Sequence, residues 1–106
     1  MAKYLLQVSF TLDGIRGVGA QGGSARRDAA EEAIQSVGGK LEAFYFAFGE
    51  TDVFVVADLP DNKSAAALVL HVTAAGGASV RTVPLLTPQE IDAAVAQPVA
   101  YRPPGT

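Results

Sequence analysis

Gly38-Gly39-Lys40-Leu41-Glu42-Ala43-Phe44-Tyr45-Phe46-Ala47-Phe48-Gly49-Glu50-Thr51-Asp52-Val53-Phe54-Val55-Val56-Ala57-Asp58 is the stretch on which the fold turns. It reads as two antiparallel strands joined by a tight polar turn at Gly49-Glu50-Thr51-Asp52, with Leu59-Pro60 ending the second strand. A pleated strand sends alternate side chains to opposite faces. Phe44, Phe46 and Phe48 therefore share one face, and Ala43, Tyr45 and Ala47 the other. A hairpin apolar on both faces must be covered twice, and 106 residues supply little cover. An oligomer, with a pocket where the sheet meets a helix or a neighbouring subunit, is the expectation.

Upstream, Tyr4, Leu6, Val8 and Phe10 alternate with Leu5, Gln7 and Ser9, the pattern of a first strand. Thr11 to Gly23 holds five glycines and reads as a short helical turn over Leu12 to Val18 followed by a flexible loop. Ser24 is suited to cap a helix from Ala25 to Val37, with Ala30, Ala33, Ile34 and Val37 inward and Gly38-Gly39 as the stop. Downstream, Asp61 caps a helix from Asn62 to Ala75. Its apolar residues Ala65, Leu68, Val69, Leu70 and Val72 surround most of the axis, which predicts more than one packing neighbour.

Ser79 to Leu86 reads as a fourth strand. Thr87-Pro88-Gln89-Glu90 then combines an N-cap, a first-turn proline and a capping-box glutamate, predicting a short helix from Pro88 to Val95. The expected order is β-α-β-β-α-β plus a terminal helix. That is the ferredoxin-like α+β arrangement, with a four-stranded antiparallel sheet shielded on one face by two helices. Residues 1–96 form one domain in this reading, and 97–106 an extended tail punctuated by Pro98, Pro103 and Pro104 that lies along a surface.

Composition narrows the function classes. With 49% hydrophobic and 18% charged residues the chain is not of the disordered type. The net charge is −3 and only Arg26 and Arg27 adjoin among the basic residues, so a nucleic-acid partner is not expected. There is no cysteine and one histidine, His71, so neither a metal nor a cofactor is expected. No apolar run approaches the roughly 20 residues that span a bilayer, and Met1-Ala2-Lys3-Tyr4 runs straight into a strand. No membrane association and a cytoplasmic location are the expectations.

Several strings together resemble the GYD-domain family of small bacterial proteins. They are Lys3-Tyr4-Leu5-Leu6-Gln7-Val8-Ser9-Phe10-Thr11, the run Gly38 to Phe46, Phe48-Gly49-Glu50-Thr51-Asp52, and Val80 to Glu90. The family pattern has a tyrosine before the turn aspartate, where this chain has Thr51. The resemblance implies an assembly of the dimeric α/β-barrel type, in which two ferredoxin-like sheets pack face to face. It implies no reaction.

The residues that bear chemistry are few. Gly17-Val18-Gly19-Ala20-Gln21-Gly22 matches G-x-G-x-x-G, but a dinucleotide loop must directly follow a strand, and here about seven residues intervene, so a loop is the reading. Ser24, Arg26 and Arg27 at the next helix start offer a place for some other anion. His71 sits mid-helix between Leu70 and Val72 and reads as a packed or half-exposed residue; Asp52 reads as a turn former. Tyr4, Tyr45 and Arg81 are the polar residues set among apolar strand neighbours, and Phe44, Phe46 and Phe54 are the matching pocket walls. Strand parity puts Tyr45 opposite Phe44 and Phe46, so either the phenol or the phenylalanines belong to a pocket. Three functions remain open: a homo-oligomeric small-molecule-binding or accessory protein, a cofactor-independent isomerase or oxygenase acting on an aromatic or polyketide-like substrate, and a structural assembly module.

Overall fold

Alternation of Tyr4, Leu6 and Val8 with Lys3, Leu5 and Gln7 builds β1 (Ala2–Phe10), which runs through the middle of the sheet. The computed structural model describes all residues, 1–106. After β1 come α1 (Leu12–Gln21), α2 (Gly23–Ser36), β2 (Lys40–Phe46), β3 (Val53–Leu59), α3 (Asn62–Ala74), β4 (Ala78–Leu85) and α4 (Pro88–Ala96). The strands form one antiparallel sheet in the order β2-β3-β1-β4. Register aligns like with like. Tyr4 faces Ala57 and Leu6 faces Val55 on β3, while on the opposite side of β1 Gln7 faces Arg81 and Leu5 faces Val83 of β4.

The core lies on the helix-covered face. Tyr4, Leu6, Leu41, Val53, Val55, Ala57 and Leu59 of the sheet bury against Ile34 of α2 and Ala65 and Leu68 of α3. Ile34, Leu59 and Val53 are the largest fully buried side chains. Each such side chain contributes about 1.5–3 kcal/mol relative to exposure. Asp61 caps α3 by accepting the Ser64 N–H at 2.8 Å, and that hydrogen bond holds its carboxyl below the usual carboxylate range. Thr87 and Glu90 form the complete capping box of α4.

The expected ferredoxin-like βαββαβ chain, assembled into a dimeric α/β barrel, is corrected by the structure. The order is β-α-α-β-β-α-β-α, and the sheet is open: β2 and β4 are edges, each paired on one side only. The glycine-rich stretch is the source of the extra helix. Thr11 caps α1 by accepting the Gly14 N–H, and its own N–H donates to the Gly77 carbonyl at 3.0 Å. Those bonds, and packing of α1 on α2 and β1, outweigh the low helix propensity of Gly14, Gly17 and Gly19. The segment Gly17 to Gly22, expected as a loop, is the second half of α1 and its C-cap.

The β2–β3 connection differs in a smaller way. β2 ends at Phe46 and β3 starts at Val53, so the link spans Ala47 to Asp52, and Phe48 stands fully exposed at its tip. Asp52 ties this link to β1. Its N–H donates to the Val8 carbonyl and its carboxylate accepts the Phe10 N–H, both at 2.8 Å.

Gly14 marks where α1 touches the start of β4, since a Cβ there would lie 1.9 Å from the Gly77 carbonyl oxygen, whereas one on Gly17 would meet nothing within 4 Å. Gly14→Ala is expected to destabilise the fold by about 1–3 kcal/mol, a fall of about 4–8 °C in melting temperature per kcal/mol. Gly17→Ala is expected to stabilise it by about 0.4–1 kcal/mol. Thermal unfolding followed by circular dichroism reads both.

Candidate functional site

The two long helices divide the sheet between them. α2 packs over β2 and α3 over β4, and they make no substantial contact with each other. Between them, above β1 and β3, runs a cleft of about 250 Å³. Leu6, Val8, Val53 and Val55 form its floor, with Phe44 beside them; Ala29, Ala30 and Ala33 of α2 face Val69 and Val72 of α3 across it. Above the cleft α2 presents Ala29, Ala30 and Ala33, whose short side chains leave the space unfilled.

One residue on that stripe is not apolar. Arg26 lies one turn before Ala29 and Ala30, in the first turn of α2, and is the only charged residue lining the cleft. It is half-buried, and its guanidinium makes no ion pair or hydrogen bond. Its neighbour Arg27, by contrast, lies 3.8 Å from Asp28 and 3.7 Å from Glu31.

The residues singled out from sequence fall into two groups on opposite faces. Tyr4, Phe44 and Phe46 are on the helix side. Tyr4 is 3% exposed and donates its hydroxyl to Asn62 Oδ1 at the start of α3. It borders a second, more open depression of about 450 Å³ with Pro84 and Thr82 and does not line the cleft between α2 and α3. Phe44 does line it, and Phe46 packs edge-on against Phe44, ring centroids 5.4 Å apart, with its far side against Gly23.

Tyr45, Phe54 and Arg81 lie on the uncovered face, where register sets Tyr45 beside Phe54, Phe54 beside Gln7 and Gln7 beside Arg81 in one row. Tyr45 is 71% exposed there. The next row, Ala43, Val56, Leu5 and Val83, is wholly apolar. Beyond it Lys3 bridges Asp58 at 3.0 Å and also pairs with Glu42. Hydrogen bonding to Glu42, then to Asp58, holds the Lys3 ammonium above the ordinary lysine value. Whatever stability the pairing adds is therefore present below that value and lost as pH rises through the raised one. His71 is exposed, its Nδ1 2.8 Å from the Ala67 carbonyl one turn back.

Of the residues expected to form a pocket only Phe44 lines this cleft, joined by Arg26, which was expected at a separate anion site; the rest of the cleft was not foreseen. Its one local signal was the stripe Arg26, Ala29, Ala30, Ala33, in which small residues recur at helical spacing behind an unpaired cation.

Fold and cleft together define an α/β domain with an open antiparallel sheet, one face bare and the other carrying a narrow apolar groove between two helices. The GYD domain model matches residues 4–95, and the chain belongs to that family. Searches of the curated proteins and of the solved structures return no match.

The two tyrosines should separate cleanly on substitution. Tyr4→Phe removes a part-buried hydrogen bond and is expected to cost about 0.5–1.5 kcal/mol in chemical denaturation. Tyr45→Phe, at an exposed ring whose hydroxyl has no partner, is expected to leave stability unchanged.

Proposed function

We propose that this protein binds a small apolar molecule in the cleft between α2 and α3, and that it does so as a homo-oligomer. The observation that carries the first part is the cleft itself: about 250 Å³, with sixteen of its nineteen lining residues hydrophobic. An apolar cavity of about 150 Å³ takes up benzene; by proportion this one has room for roughly ten non-hydrogen atoms. Its lining offers no carboxylate, imidazole, hydroxyl or thiol to act as acid, base or nucleophile. Such a lining favours binding over catalysis.

Self-association is supported by the C-terminal arm. No residue of α4 is buried, and Ile91, Val95, Val99 and Tyr101 are all exposed along the arm. The radius of gyration is 17.0 Å, against about 13 Å for a compact chain of this length, and the longest dimension is 59 Å. An ordered helix that leaves its own body with an apolar stripe exposed is suited to pack on a second copy. The apolar row on the bare sheet face, with Leu5, Val56 and Val83, offers further surface of the same kind.

Two measurements test these statements. Titration calorimetry with 1-octanol is expected to show binding to the protein, and Ala33→Phe, which fills the cleft from α2, is expected to weaken it at least tenfold while the circular dichroism spectrum is kept. Octanol binding that survives Ala33→Phe, or none to the unaltered chain, contradicts the cleft as a ligand site. For assembly, sedimentation equilibrium at micromolar concentration is expected to give a multiple of the chain mass, and removal of residues 87–106 to lower it. A monomer in both cases refutes the oligomer.

A further inference from the structure

Arg26 sits where neither the helix nor the core explains it. It lies on the cleft-facing stripe of α2, at a position whose neighbours one and two turns on are Ala29, Ala30 and Ala33. The first turn of α2 contains no acidic residue, and a cation there has the wrong sign for the helix dipole. Arg27 beside it adds like charge, which Asp28 and Glu31 offset for Arg27 alone. No carboxylate lines the cleft, so nothing within the chain neutralises Arg26 on that side.

We propose that Arg26 makes the cleft selective for apolar molecules that carry one anionic end, with the apolar body between α2 and α3 and the anion on the guanidinium. This rests on the reading of the cleft as a ligand site and names the ligand class. The fork of the guanidinium fits a carboxylate through two parallel N–H donors. A half-buried setting strengthens that pairing over one in open water, because the apolar walls lower the local dielectric. Capacity sets the size of the apolar body: roughly ten non-hydrogen atoms, the size of a medium-chain or single-ring carboxylate.

The test compares octanoate with 1-octanol, which share a chain and differ in charge, by titration calorimetry at pH 7. The unaltered protein is expected to bind octanoate at least tenfold more tightly than octanol. Arg26→Met keeps much of the aliphatic stem and removes the charge. It is expected to abolish the preference, octanoate then binding no more tightly than octanol to the same variant. Arg26→Lys should keep part of the preference, and Arg27→Met all of it. Octanoate binding no better than octanol, or a preference that persists in Arg26→Met, overturns the assignment. If octanol binds and is lost on Ala33→Phe yet octanoate shows no advantage, the cleft stands as a site and the role of Arg26 falls. If neither compound binds the unaltered protein, both fall.

Discussion

The antiparallel register of β1 against β3 governs the rest of this molecule. Setting Tyr4 against Ala57 and Leu6 against Val55 puts these side chains on one face, and it puts Lys3, Leu5 and Gln7 with Asp58, Val56 and Phe54 on the other. A slip of one residue would exchange the two sets. The first face binds the helices and contains every buried sheet residue. The second is left to solvent or to another molecule, its charged groups gathered around Lys3 at one end and its apolar row in the middle.

Helix placement then follows from what that face presents. α2 seats on β2 through Ile34, and α3 seats on β4, with Ala65 and Leu68 turned into the core. The alanines of α2 leave the space between the helices unfilled, so the floor of β1 and β3 stays reachable. A stripe of alanines is a poor way to fill a core, because an unfilled gap forfeits contact energy at its lining. Packing given up here, with a lone arginine beside the gap, is in keeping with the proposed ligand groove.

Much of the architecture was legible in local sequence. The alternation of β1 and β3 and the start signals at Asp61 and Thr87 act over a few residues, and the structure shows both caps formed. α1 was legible only in part: Leu12 to Val18 reads as a helical turn, but the glycines beyond argue for a loop, and what anchors the whole helix is distant, since Thr11 and Gly14 meet Gly76 and Gly77, over sixty positions away. The opposition of Tyr45 to Phe44 and Phe46 could be read from parity alone. The cleft could not, because its walls come from helices separated by the whole β2–β3 hairpin. Arg26 was visible as a basic residue at a helix start, but which way it faces depends on how α2 lies on β2.

The proposed ligand site lies on the helix-covered face of the sheet, so the methyl groups of the two faces should respond differently to a ligand. Methyl-labelled nuclear magnetic resonance tests it most directly, by adding 1-octanol and following the two sets of methyl groups. Progressive shifts are expected at Leu6, Val8, Val55 and Val72, with Leu5, Val56 and Val83 unmoved. Shifts confined to Leu5, Val56 and Val83 would contradict it and move the site to the bare face.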